Sequence, residues 1–313
     1  MLLKWRWVTP LLLSMGLGCS SPSGSSSDGF AEEPTGSIVF TWSPVIGRWG
    51  PHRVRPDGTG FAPIAVPTPG AAEPETSRNG ERLLYQYAGD LFVLDLPSGR
   101  WGQVTTDWHN NWPSWSPDGN RVVSVNSNYG DLGAQALKVT EIDRSAERTI
   151  TPPLSPYDGF LAQPEFFPSG DSLLYVQHDA NGAGWLWLAY AEGRPTRPFT
   201  SPFGHRVTIF ALSRDGTRFA ASSIGSLTDT TRTDDYIVRI ARDWVGPGQS
   251  VDLTPNYAGQ LSFSPDGKFL VVTVRQPLTG VSWLEILEVS TLRRRRITPE
   301  DGIASASEAK WGP

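Results

Sequence analysis

Cysteine is almost absent from this chain. Cys19 is the only one in 313 residues, so no disulfide can form within it. An excess of charge of one sign is missing too: 27 basic residues stand against 32 acidic ones, a formal net charge of -5, which gives no electrostatic reason to expect a nucleic-acid partner. The apolar run near the start, Val8 to Leu17, is too short to span a bilayer. Two chemical signatures are also lacking. No Gly-x-Ser-x-Gly nucleophile elbow occurs, which excludes the common serine-peptidase arrangement. None of the Asp-Gly pairs stands in a loop of EF-hand pattern with its terminal Glu, so these pairs are turn formers first.

Turn formers and tryptophan are plentiful, with 32 Gly, 27 Pro and 13 Trp. The stretch Pro113-Ser-Trp-Ser-Pro-Asp-Gly119 followed by Asn120-Arg-Val-Val-Ser-Val125 reads as strand, tight turn, strand. Its clearest copy is Leu261-Ser-Phe-Ser-Pro-Asp-Gly-Lys-Phe-Leu-Val-Val272, with weaker copies at Ser213–Ala220, Phe167–Leu174 and Ser77–Leu84. The turns recur roughly every 40 to 50 residues, the period of four-stranded propeller blades. Each copy is followed by a second extended run and by an apolar-Thr ending: Val104-Thr105, Ile150-Thr151, Phe199-Thr200, Leu253-Thr254 and Ile297-Thr298. The sixth unit is split. Residues 36–68 supply three strands without a first strand and turn, and Ser307-Glu-Ala-Lys-Trp-Gly-Pro313 reads as the motif's first strand cut off at its turn. Joining the two closes a ring and pairs edges that would stay open.

The expected fold is therefore all-β, a six-bladed propeller of four-stranded antiparallel blades. The blades are 36–68 plus 305–313, 73–106, 112–151, 163–200, 206–255 and 259–299. Trp42-Ser-Pro44 as a true copy of the turn is the competing register for the first blade. Trp112, Trp115, Trp185, Trp187, Trp283 and Trp311 fall in or beside strands and are assigned to packing between blades, whereas Trp101, Trp108 and Trp244 fall in connections and suit an exposed role.

Lys4 and Arg6 precede the short apolar run, which reads as an export signal. Gly16-Leu-Gly-Cys19 resembles the cleavage box of bacterial lipoproteins, with Gly16 where a Leu is usual. The resemblance implies a signal peptide over 1–18, a lipid on Cys19 and a flexible Ser/Gly/Pro-rich tether over 19–35. A secreted chain without lipid and a plain membrane anchor are the alternatives. Ser20 after the cysteine resembles an outer-membrane sorting signal where the bacterium has two membranes.

The turn motif, the run ending in Asp and the Leu/Ile-Thr ending together resemble the TolB-like, WD40-like propeller repeat over roughly residues 36–313, without the N-terminal domain that precedes the TolB propeller. The resemblance implies a protein of the cell envelope, attached to the membrane through its lipid alone, that binds an envelope protein or polymer as a non-catalytic scaffold. The alternative it carries is a carbohydrate-active lyase or hydrolase at the channel mouth, since propeller lyases of similar type use histidines and a metal there. No catalytic residue, metal or cofactor beyond the lipid is assigned.

The turns between strands one and two and between three and four share one face, and here they are mostly short, with Asp243 to Gln249, which carries Trp244, as the exception. The other face has the longer loops, where binding is expected. A binding mouth of His109, Asn110, Asn111, Tyr157, His205 and Tyr257 is placed there. His178, Asp158, Asp107 and Asp131 are further ligand-type residues without ligand spacing. Arg293, Arg294, Arg295 and Arg296 are assigned to the outer strand of the last blade, as an edge that resists pairing or as a docking patch for an acidic partner.

Overall fold

The computed structural model describes residues 29–45, 48–129, 134–203, 207–224, 236–253, 256–276, 279–299 and 304–313. Cys19, His205 and Asp131 lie outside the described residues. Met1–Ala31 forms one unit and Glu32–Pro313 another, and the strands below all belong to the second.

Among the described residues the chain runs through six four-stranded antiparallel sheets and no helix. The first holds β1 (Ser37–Val45), β2 (Arg48–Val54) and β3 (Ala62–Pro63). The second holds β4 (Ala72–Thr76), β5 (Arg82–Tyr87), β6 (Asp90–Asp95) and β7 (Trp101–Gln103). The third has β8 (Asn110–Trp115), β9 (Arg121–Tyr129), β10 (Ala134–Glu141) and β11 (Glu147–Thr149). The fourth has β12 (Gly159–Phe166), β13 (Ser172–Asp179), β14 (Gly184–Tyr190) and β15 (Arg197–Pro198). The fifth has β16 (Ile209–Leu212), β17 (Arg218–Ile224), β18 (Tyr236–Arg242) and β19 (Val245–Asp252). The sixth has β20 (Tyr257–Phe263), β21 (Phe269–Arg275), β22 (Ser282–Glu288) and β23 (Arg294–Arg296). The last strand, β24 (Ser305–Gly312), joins the first sheet in the order β24-β1-β2-β3, with Ile38 opposite Trp311. This is the six-bladed propeller expected, closed by the C-terminal strand.

Blade packing explains why strands two and three lose the alternation of a half-exposed sheet. Leu83, Leu84 and Tyr85 of β5 are consecutive and all fully buried, because both faces of the blade are covered by neighbours. Each hydrophobic cluster draws on two successive blades. Leu84, Leu91 and Val93 of the second meet Trp115 and Val122 of the third, and Leu174, Val176 and Leu186 of the fourth meet Phe210 and Phe219 of the fifth. Five of the six strand tryptophans fill these seams as expected: Trp115 and Trp311 are buried, and Trp112, Trp187 and Trp283 pack against the clusters, while Trp185 lines a cavity of the fourth blade instead.

The repeated turn is a hydrogen-bonded unit. Ser116 Oγ donates to Asp118 at 2.5 Å and accepts the Arg121 N–H at 2.9 Å, while Gly119 takes φ +69°. Ser213 with Asp215 and Ser264 with Asp266 repeat the contact at 2.5 and 2.6 Å. The arginine that follows the turn reaches the next blade. Arg121 donates to the Gly170 carbonyl at 3.2 Å, Arg218 donates to that of Gly267, and Arg82 lies over the Trp115 ring. The apolar-Thr endings form a second repeated clasp. Thr105, Thr151 and Thr298 each accept, through Oγ1, an N–H from the first half of their blade's third strand, at 2.9, 2.9 and 3.1 Å from Leu91, Leu137 and Leu284. Thr200, at the matching ending, is exposed.

Two expectations are corrected. The connection read as Asp243 to Gln249 is a two-residue turn, with Asp243 and Trp244 at φ +53° and +58°, after which β19 begins at once. Trp244 is not a surface residue: its ring packs with Phe167, Phe199 and Phe219, and its Nε1 donates to Gly216 O at 2.8 Å. The fourth blade also begins at Gly159 rather than near residue 163, because Gly159–Ala162 pair with β13 ahead of a register break.

Candidate functional site

The first strands of successive blades, β24, β4, β8, β12, β16 and β20, touch one another in a ring and line the propeller channel. Five of them break register at the same place. Residues two apart in chain order, Glu73 to Glu75, Trp112 to Ser114, Gln163 to Glu165 and Glu308 to Lys310, flank a β-bulge, and a fifth break spans Ala258 to Leu261. Glu73, Trp112, Gln163 and Glu308 stand at positive φ, between +48° and +57°. Proline follows three of them, as Pro74, Pro113 and Pro164, where a bulge tolerates the missing donor.

At the Glu73 and Trp112 bulges the preceding blade supplies the acceptor for the backbone N–H, and the same kind of bond reaches Phe210 in the unbulged β16. Glu308 Oε2 accepts the Glu73 N–H at 2.9 Å, Glu73 Oε2 accepts that of Trp112 at 2.7 Å, and Gln163 Oε1 accepts that of Phe210 at 3.2 Å. Deeper in the channel, Glu75 Oε1 accepts the Trp115 N–H and Glu165 Oε2 the Leu212 N–H, both at 3.3 Å, and Ser262 Oγ accepts that of Trp311 at 3.0 Å. The polar belt thus ties blade to blade.

Four carboxylates therefore crowd one cation. Lys310 Nζ lies 3.7 Å from Glu75 Oε2. Burial pushes the Glu73 carboxyl up to about 8, reinforced by Glu308 beside it, and pushes Glu165 up to about 7. Glu75 is raised for the same reason, with Lys310 opposing. Burial disfavours the Lys310 charge, but the surrounding glutamates, Glu75 first, outweigh it and hold the ammonium above its ordinary value.

The channel is shut on the short-turn face. Arg78 and Arg214 belong to opposite blades and exchange bonds across it: Arg78 donates to Arg214 O at 2.7 Å, and Arg214 donates to Arg78 O at 3.0 Å. The free space behind this bridge is about 100 Å³. The middle, between Glu73, Gln163, Gln260 and Lys310, narrows to about 20 Å³, room for a water molecule or so. On the long-loop face the channel widens to about 470 Å³.

The described residues of the expected mouth sit in different settings. Asn110 is fully buried in a polar knot, its amide donating to Asp107 at 2.7 Å, with Asn126 also donating to Asp107 at 2.9 Å and Lys138 paired to the same carboxylate. Asn111 donates to the carbonyl of His109 at 3.2 Å. Tyr157 is exposed in the connection before β12, and Tyr257 opens β20 opposite Arg275. His178 is buried and stacked on Phe160 at 4.2 Å, with burial holding its pKa down. Among the described residues no three His, Cys, Asp or Glu come together in a way that would hold a metal ion.

His109 is exposed and follows Trp108, and both take left-handed backbone, at φ +62° for Trp108 and +63° for His109. Asp90 accepts the Trp108 N–H at 3.1 Å, and the His109 carbonyl accepts the Ser127 N–H at 3.1 Å, so the strained pair is fixed and the indole stands out into solvent. The basic run is β23 and its approach, as expected, and its arginines have partners within the chain. Arg294 pairs with Glu285 at 3.6 Å, Arg295 with Glu33 at 3.0 Å, and Arg296 covers the Trp283 ring at 5.0 Å.

No protein-family model and no curated protein matches the sequence. Solved structures do. TolB from Acinetobacter baumannii superposes with a TM-score of 0.69 at 19% identity, over 90% of this chain and 68% of that one. A nidogen/laminin complex matches with a TM-score of 0.61 at 10% identity, over 88% of this chain and 97% of that one. An oligogalacturonate lyase in complex with manganese matches with a TM-score of 0.54 at 16% identity, over 85% and 74%. At such identities the likeness is one of architecture, and the chain has the TolB-like six-bladed propeller fold.

Proposed function

We propose that this protein is a lipid-anchored propeller of the cell envelope that serves as a non-catalytic protein-binding scaffold. The observation that carries the docking half is the aromatic rim on the long-loop face. Trp108, Tyr157 and Phe160, from the connections flanking the third blade and the start of the fourth, are 63%, 76% and 43% exposed. Strained backbone is kept at Trp108, and large exposed rings are the usual anchors of a protein interface. The architecture shared with TolB and with one partner of a nidogen/laminin complex supports a scaffold, and the leader ending in Gly18-Cys19 supports the lipid anchor and an envelope location, the outer membrane where there are two. A lyase or hydrolase reading rests on architecture shared with oligogalacturonate lyase, while the channel glutamates Glu73, Glu75, Glu165 and Glu308 already serve backbone N–H groups of the neighbouring blade.

A photo-crosslinking residue placed at 108 or 157 in living cells tests the docking face, with position 101 on the short-turn face as control. A discrete protein adduct is expected from 108 and 157 and not from 101, and Cys19→Ser should move the protein out of the membrane fraction. Adducts from position 101 alone would sink the assignment of the face.

A further inference from the structure

The wide end of the channel is a well between the first, second and sixth blades, with Trp112 of the third at its edge. The indoles of Trp49 and Trp112 form part of its wall. Much of the remaining lining is hydroxyl, from Thr41, Ser43, Thr273, Ser282, Ser305 and Ser307. Its floor is the channel waist, and the Arg78 and Arg214 bridge closes the far end, so whatever enters comes and leaves by the long-loop mouth.

Two polar atoms in this lining are unused. Gln260 Oε1 and Thr273 Oγ1 have no hydrogen-bond partner although their residues are only 7% and 4% exposed. Both atoms are closed off as the side chains stand, so a ligand in the well pairs with them once the Gln260 amide and the Thr273 hydroxyl turn towards it, and the cost of leaving a buried polar group unpaired favours that turn. Water could serve them but would leave the Trp49 ring, 49% exposed and pinned by its Nε1 bond to Gly70 O at 2.8 Å, facing solvent. A ligand with hydroxyls around its edge and C–H groups on its faces answers both demands at once. Charge narrows the class further. Among the lining residues Arg275 is the one cation and Glu308 the one carboxylate, so the wall carries no net charge and an uncharged ligand matches it.

The geometry points to a binding site for a neutral mono- or disaccharide unit, stacked on Trp49 and hydrogen-bonded by Gln260 and Thr273. The site is separate from the aromatic rim and does not depend on protein docking there. Crosslinking at 108 and 157 reads one reading, and sugar binding reads the other.

The test uses the full chain in a detergent without a sugar head group, titrated with cellobiose, N,N′-diacetylchitobiose and digalacturonate while tryptophan fluorescence and saturation-transfer NMR are followed. At least one neutral disaccharide should bind saturably and more tightly than digalacturonate. Trp49→Ala and Thr273→Val should each weaken that binding about tenfold or more. Gln260→Leu removes an unpaired polar atom, so it should unfold no earlier than the parent protein yet bind the sugar more weakly. This variant and Thr273→Val decide the matter if Trp49→Ala does not fold. No saturable binding of either neutral sugar, tighter binding of digalacturonate, or variants that bind like the parent protein would each overturn the proposal.

Discussion

Glu165 and Glu73 carry carboxyl groups where their charge is disfavoured, at about 7 and about 8 against an ordinary 4.5. Between those values the folded chain holds protons that the unfolded chain has released, so stability should fall as pH rises from about 4.5 to about 8. Glu165→Gln keeps an acceptor for the Leu212 N–H and removes the charge. It should match the parent protein at pH 5 and exceed it by about 1–3 kcal/mol at pH 8 in urea unfolding. Lys310→Met should do the opposite, costing roughly 1–3 kcal/mol at pH 8 and less at pH 5. Differences that do not change with pH would show that these groups are not the source of the slope. The sequence displayed Ser116, Asp118 and Gly119 as turn residues because their chemistry is local. The channel glutamates stayed hidden because nothing local marks which side of a blade's first strand faces the channel, and only closure of the ring decides it. The available sign was a polar or aromatic residue before Pro74, Pro113 and Pro164, two places ahead of a residue that lines the channel.

The apolar-Thr endings show the same limit for elements. They were visible as a repeat, but their work depends on the register between the third and fourth strands, which sets the Thr151 hydroxyl against the N–H of Leu137. Thr151→Val and Thr298→Val should each cost about 1–2 kcal/mol in thermal unfolding. Thr200→Val, at an ending that looks alike in sequence, should stay within about 0.5 kcal/mol, since its side chain is exposed. Equal losses at all three would mean that the clasp is not what the threonines contribute. Blade boundaries were legible to within a few residues, and the slip at Gly159 came from Pro164 interrupting the alternation by which a strand start is recognised. Trp244 was misplaced for a related reason. A turn with two non-glycine residues at positive φ has no Asn-Gly signal, and its tryptophan looked like loop until Phe167, Phe199 and Phe219 were seen around it.

At the scale of the molecule, the split first blade was the most consequential feature that the sequence disclosed, from a motif cut short at Trp311-Gly-Pro313. The structure adds how tightly the closure fits. Trp311 Nε1 donates to Thr35 O at 2.9 Å, and a side chain at Gly312 would stand 2.2 Å from Thr76 Oγ1. Removing residues 305–313 takes away Lys310, the channel's central cation, together with an entire inner strand. Unfolding of the remainder should lose its single sharp transition and shift to much lower temperature, whereas a melting curve that overlays the parent's would show that the ring does not need this strand.

That closure also dictates an order of events. Blades two to six are each made from one continuous stretch and can form as they emerge. Thr41 and Glu308, which hydrogen-bond across the first blade, are 267 positions apart. The strand Ser37–Val45 must therefore wait, one edge unpaired, while almost all of the propeller is synthesised. The blade that is begun first is finished last, and a nascent chain interrupted anywhere before residue 305 carries an open, pairing-competent edge that only a chaperone or a protease can answer.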